Sequence, residues 1–175
     1  MVHFSIFSGH EGRLGPERGV YISIFGGATL TRMPFAVQVT EQRQRSNAAQ
    51  TSWQNFIFSL FGGATIRWPP LAEEFIALRD AVRAGALTFN DWDRAAAGAG
   101  RSCMAGVMSI HIFGSLNTDA VPNEDQELDD LTWQRHAGHI PSPAVEALML
   151  AVGHNGAQRL AAVRQAVSAS LSSGA

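Results

Sequence analysis

A phrase of a dozen residues recurs in this chain, and the recurrence limits the possible folds more than any other feature. The two clearest copies are SIFGGATLTRMP, which begins at Ser23, and SLFGGATIRWPP, which begins at Ser59. Looser copies begin at Ser5 and at His111. Each copy holds one phenylalanine that can serve as a reference point: Phe7, Phe25, Phe61 and Phe113.

These reference residues are separated by 18, 36 and 52 residues, which are near multiples of one length. Repeats at a fixed spacing are typical of proteins in which each unit buries its apolar face against the next. The sequence therefore predicts a mainly β fold with helices. Its expected form is a β-helix-like solenoid with an inserted helical hairpin and C-terminal helices.

Within each copy the residues alternate as in a strand, and glycines follow. In VYISIF, which begins at Val20, Ile22 and Ile24 point to one side and their neighbours to the other. The glycines are predicted to form structural corners, because they can adopt positive φ and because the missing Cβ lets neighbouring copies approach closely: Gly26, Gly27, Gly62, Gly63 and Gly114. Stacked copies would align the phenylalanines in one row and Ile6, Ile24, Leu60 and Ile112 in another. A sandwich of recurrent hairpins with glycine corners is the alternative.

The copies are interrupted by segments with helical periodicity. Residues 69–100 predict a helical hairpin, with stop signals at Gly85 and Gly98 and a capping box from Thr88 to Asp91. Residues 123–171 predict a C-terminal helical region with a break near Gly153.

The chain is predicted to form a single domain of residues 1–175. Its β repeats would cover about 3–34, 57–68 and 107–122. For residues 38–55 the sequence leaves two alternatives open, a loop or a further repeat.

Composition limits the classes of binding partner and the cellular compartments that are expected for this chain. The net charge of −2 and the pI near 6.3 argue against a nucleic-acid partner. No window approaches 18 apolar residues, so no integral membrane segment is predicted, and peripheral membrane association is left open. A single cysteine, Cys103, suits a reducing compartment, and the cytoplasm is the predicted location.

No catalytic residue, cofactor or metal site is predicted. His136 and His139 are three residues apart, but the glycine and proline around them disfavour a rigid ligand helix. Cys103 lies among small and apolar residues, without a motif that supplies a base. The chain has no lysine, so FGGAT is not a phosphate-binding loop of the Walker type.

Two segments resemble known bacterial modules. Residues 4–34, with IFSG, a following Glu-Gly and then IFGG, resemble the C-terminal domain of the cell-wall-active-antibiotic response proteins of the LiaF type. This resemblance implies a β-helical, non-enzymatic domain in envelope-stress sensing. Residues 75–95 resemble short bacterial helical hairpins with a GxLT turn, and this resemblance implies a role in oligomerisation or in association with membrane proteins.

The resulting functional hypothesis is a non-enzymatic interaction or scaffold protein, of a kind that fits a bacterial stress or regulatory assembly. Phe89 and Trp92 of the hairpin are predicted partner contacts, unless the hairpin buries them. Phe4 and Ile6 are predicted to mediate self-association, as a two-fold dimer. The alternative function is an enzyme or small-ligand protein with a pocket between the repeats and the helices.

Overall fold

The chain divides into two compact units in the computed structural model, which describes residues 1–14, 19–46, 55–98 and 107–174. The first unit comprises Met1–Met33, Arg43–Trp68 and Arg101–Ala120. The second unit comprises Pro34–Gln42, Pro69–Gly100 and Val121–Ala175. All the described strands belong to the first unit, and most of the helical residues belong to the second.

The first unit has eight described strands: β1 (Val2–Ser5), β2 (His10–Arg13), β3 (Gly19–Ser23), β4 (Ala28–Thr31), β5 (Asn55–Ser59), β6 (Ala64–Arg67), β7 (Val107–His111) and β8 (Leu116–Ala120). They form two parallel sheets with the orders β1-β3-β5-β7 and β2-β4-β6-β8. In the first sheet Val2 pairs with Val20, Val20 with Phe56, and Phe56 with Met108. These pairings have the same 18-, 36- and 52-residue offsets as the repeated phrase. Because every strand pairing is parallel, the alternative of recurrent hairpins is wrong for the described strands.

The core of the first unit contains side chains from both sheets. Tyr21 and Ile57 of the first sheet belong to the same buried cluster as Leu30 and Ile66 of the second. These residues occupy alternate positions along their strands, as expected when one face of each strand points inward.

The glycines after β3, β5 and β7 lie at bends, and of the two reasons predicted for them close approach is confirmed while positive φ is wrong. None of the five has a positive φ. Four of them instead allow close approach of the backbone of a neighbouring repeat. A Cβ built on Gly62 would lie 2.6 Å from the carbonyl carbon of Gly26, and one on Gly114 would lie 2.6 Å from that of Gly62. The requirement is therefore for space and not for left-handed backbone.

The predicted fold class, a mainly β, β-helix-like solenoid, is also wrong. The structure is α/β, with two separate four-stranded parallel sheets and six helices among the described residues. The strands hold only four or five residues each, whereas the helices hold 8 to 17. The repeated phrase thus accounts for the strands, but the strands hold only a minority of the described residues.

The six described helices are α1 (Phe35–Ser46), α2 (Leu71–Arg83), α3 (Phe89–Ala97), α4 (Glu124–His136), α5 (Ser142–Met149) and α6 (Gly156–Ser172). The predicted hairpin is confirmed as α2 and α3. Its capping box is present, because Thr88 Oγ1 accepts from the Asp91 N–H while Asp91 accepts from the Thr88 N–H. Gly85 follows α2 at a φ of +69°, a conformation that glycine adopts readily.

One helix, α1, is not predicted by the sequence. Residues 38–46, which were expected to be a loop or a further repeat, belong to α1, while 47–54 lie outside the described residues. The acidic run after Pro122 lies in the predicted helical region 123–171 and forms α4, whose first N–H groups are capped by the Asn123 side chain. The predicted break near Gly153 is present between α5 and α6.

The second unit packs its helices around apolar side chains and one buried ion pair. Leu71, Phe75, Leu131 and Val163 are fully buried. Arg159 of α6 and Glu127 of α4 are 1% and 0% exposed and form a salt bridge. The Glu127 carboxylate also accepts the Leu71 N–H at 2.8 Å, so this pair ties three helices together.

Candidate protein-interaction surface

The outward side of the first sheet carries apolar side chains. At the outward positions of β1, β3, β5 and β7, every described side chain is apolar: Val2, Phe4, Val20, Ile22, Phe56, Phe58 and Ile110. These seven residues are called the outer apolar face. Phe4 is 61% exposed and Ile110 is 45% exposed, while the residues of the central strands are half-buried.

The second sheet, built from the same repeats, has an ordinary polar exterior. Its outward positions align Glu11 with Thr29, Thr65 and Asn117 across the four strands. Arg67 also points outward and lies 3.6 Å from the carboxylate of Glu11. The two sheets therefore differ in polarity although they share their repeats and their core.

A row of stacked phenylalanines follows the strands of the first sheet, at the bends after β1, β3, β5 and β7. Phe7, Phe25, Phe61 and Phe113 have neighbouring ring centroids 5.2–5.3 Å apart and nearly parallel ring planes. The predicted phenylalanine row is thus confirmed. All four rings are more than half exposed, so they are stacked on one another but not buried.

Ile6, Ile24, Leu60 and Ile112 lie directly before these phenylalanines in the chain. Ile6 and Ile112 are exposed, and Ile24 and Leu60 are half-buried. A contiguous apolar patch of this kind on a folded protein is typical of an interaction surface. Parallel strands with apolar side chains on both faces are normally covered on both faces.

Two histidines and a tyrosine meet at the β1 and β2 edge of the first unit. The ring centroids of His3 and His10 are 4.4 Å apart, and both rings lie within 5.5 Å of the Tyr21 ring. The Tyr21 hydroxyl donates to the Arg13 carbonyl at 3.1 Å. Burial lowers the pKa of His10, and the neighbouring His3 lowers it further.

This cluster gives the stability of the protein a pH dependence. Because the folded state disfavours protonated His10, the unfolded state binds more protons once the pH falls through the ordinary histidine pKa of 6.5. The contribution of His10 is therefore fully present above that value and is lost as the pH falls toward the lowered folded-state pKa. We expect denaturant unfolding to give a smaller free energy of unfolding at pH 5.5 than at pH 7.5.

His10→Gln provides the control, since it removes the titrating ring and keeps a polar side chain. Its free energy of unfolding should fall less between the two pH values than that of the parent. Burial also lowers the pKa of His111, so some dependence remains in the variant. Equal falls in the parent and in His10→Gln would contradict a role for His10.

The predicted partner contacts lie in different environments. Phe4 and Ile6 are exposed on the first unit. Trp92 is 1% exposed and packs edge-on against Phe35 at 5.1 Å between centroids, while half-buried Phe89 lies beneath the Arg164 guanidinium. This placement favours the alternative in which the hairpin buries its aromatic residues.

Residues considered for chemistry are not brought together. His136, His139 and His154 are exposed, and Cys103 lies outside the described residues. Within residues 1–14, 19–46, 55–98 and 107–174, no three His, Cys, Asp or Glu side chains form a group that could hold a metal ion. Across the same residues, none of the helices has the length and apolar character needed to cross a bilayer.

No family model, curated protein or solved structure matches the chain.

Proposed function

We propose that this protein is a non-enzymatic interaction or scaffold protein that binds another protein through its outer apolar face. The observation that carries the proposal is the difference between the two sheets. The same repeats place threonine, glutamate and arginine on the exterior of one sheet and only apolar residues on the described exterior of the other. Solvent exposure alone gives no reason for that difference, whereas a covering partner does.

The resemblance of residues 4–34 to LiaF-type domains supports a partner within a bacterial envelope-stress or regulatory assembly. The single cysteine supports a reducing compartment, and we place the protein in the cytoplasm as part of this proposal. We also propose that the protein forms a homo-oligomer, because β1 and β2 are edge strands of their sheets.

A photo-crosslinking amino acid tests the proposed face. Phe58 points outward from the first sheet and Thr65 points outward from the second sheet of the same repeat, so they form a matched pair. In cells of the source organism, a benzoylphenylalanine at Phe58 is expected to give a discrete adduct with one other protein. The same group at Thr65 is expected to give none.

Charge substitutions at the same two positions provide the second arm. Phe58→Glu should abolish capture by a benzoylphenylalanine placed at Phe61, whereas Thr65→Glu should not, with both variants melting close to the parent temperature. Equal adducts at Phe58 and Thr65, or no adduct at Phe58, would overturn the proposed face. An adduct with the mass of two identical chains would show that the face binds a second copy instead of another protein.

A further inference from the structure

On the side of β1 that faces away from β3, backbone groups have no hydrogen-bond partner among the described residues. The Val20 N–H donates to the Met1 carbonyl at 2.9 Å, and the Ile24 N–H donates to the Ser5 carbonyl at 3.1 Å. In a parallel ladder, alternate residues of a strand direct both backbone groups to the same neighbour. The N–H and C=O groups of Val2 and Phe4 therefore point away from β3, at the edge of the sheet.

Ser8 restricts what can be added at this edge. The equivalent positions in the later repeats are glycines, and a Cβ on Gly26 would lie 2.6 Å from the Ser8 carbonyl carbon. Ser8 does have a Cβ. Because the repeats are equivalent, this Cβ points toward the space that a preceding repeat would occupy. A further parallel repeat in the same register would clash there. Continued head-to-tail stacking at this end is therefore obstructed, whereas reversed strands do not need that register.

We propose that β1 and β2 pair with the β1 and β2 strands of a second copy, antiparallel about a two-fold axis, to form a closed homodimer. A partner that pairs with β1 and β2 together must present two strand edges with the same separation. A second copy has the same two edge strands and therefore the same separation between them. A two-fold contact also brings identical surfaces together, so the two edges can pair with their own copies. This inference rests on the proposed self-association.

The polarity of the two sheets selects the orientation of the axis. An axis perpendicular to the sheets pairs β1 with β1 and continues the outer apolar face from one copy into the next. An axis parallel to the strands would pair β1 with β2 and would set the apolar exterior beside the polar one. Phe4, which is 61% exposed on β1, lies at the junction in the first arrangement.

A matched pair of lysine substitutions tests the dimer. Phe4 and Ile110 occupy the same register position, through Ile22 and Phe58, on the two opposite edge strands of the first sheet. In sedimentation velocity at micromolar concentrations, the parent should have twice the chain mass. Phe4→Lys should have the mass of one chain, because a lysine on an edge strand opposes pairing. Ile110→Lys should remain a dimer.

Amide hydrogen exchange of the parent supplies a readout without substitution, should Phe4→Lys fail to fold. The Val2 and Phe4 amides should exchange more slowly as the protein concentration rises through the dimerisation range. A monomeric parent would overturn both the self-association and this interface. A dimeric parent with concentration-independent exchange at Val2 and Phe4, or with equal dissociation by Phe4→Lys and Ile110→Lys, would overturn the edge interface alone.

Discussion

Replacement of Gly62 by alanine is expected to lower the free energy of unfolding by at least about 3 kcal/mol. The new Cβ would lie 2.6 Å from the Gly26 carbonyl carbon and 2.9 Å from the Gly27 nitrogen. Both atoms are backbone held in parallel sheets, so neither can move aside without breaking the pairing of β3 with β5 or of β4 with β6. Urea unfolding followed by circular dichroism measures the loss.

Gly9→Ala is the control at a bend glycine with more space. Gly9 occupies the bend of the first repeat, and a Cβ there would meet only the Gly27 carbonyl oxygen at 3.4 Å, an ordinary contact. We expect its free energy of unfolding to stay within about 1 kcal/mol of the parent value. If Gly9→Ala and Gly62→Ala were equally destabilising, backbone crowding at Gly62 would not be the cause, since the loss of freedom in the unfolded chain on replacing glycine by alanine stabilises a protein and cannot account for the change.

The spacing of the repeated phrase predicts which residues pair in the first sheet. The intervals between the phenylalanines equal the offsets between paired strands, because residues at the same place in successive repeats lie side by side. The bend glycines were also recognisable, but their φ values were not. A glycine in the sequence can be required for left-handed backbone or for close approach of another segment. Only the position of the neighbouring repeat in the structure shows which of these applies.

The fold class could not be obtained from the repeats, because it depends on segments that do not repeat. In α1 the buried residues Phe35, Ala36 and Val39 are followed by a polar run that resembles a loop. In α4 the buried side includes Glu127, so the apolar periodicity of a helix is weak. The partner that makes this burial possible, Arg159, is 32 residues away in the chain.

The candidate surface was only partly predictable for a related reason. The strands of the first sheet carry apolar residues on both faces, as do buried strands of many parallel sheets. The sequence of β5, NFIFS, shows that both Ile57 and Phe58 are apolar but does not show which is exposed. Burial decides it, since Ile57 is 0% exposed and Phe58 is on the outward side. Trp92, by contrast, is covered by Phe35 of the unforeseen helix α1.

Arg159→Met is expected to destabilise the second unit by about 3–5 kcal/mol, the usual cost of leaving one partner of a buried ion pair unpaired. The Glu127 carboxylate, which is 0% exposed, would keep only the Leu71 N–H as a strong donor. The Pro69 carbonyl would also lose the Arg159 guanidinium, which donates to it at 2.9 Å. Urea unfolding of the parent and the variant, followed by near-ultraviolet circular dichroism, gives the difference.

The double variant Glu127→Gln with Arg159→Met separates the charge from the packing. The introduced amide would be neutral and its oxygen could still accept the Leu71 N–H, so the double variant should recover a large part of the stability that Arg159→Met loses. Arg164→Met gives a surface comparison, because Arg164 and its partner Asp93 are 30% and 52% exposed, and its cost should stay below about 1 kcal/mol. A double variant no more stable than Arg159→Met would show that the guanidinium stabilises this unit through packing and the Pro69 contact, and not by neutralising Glu127.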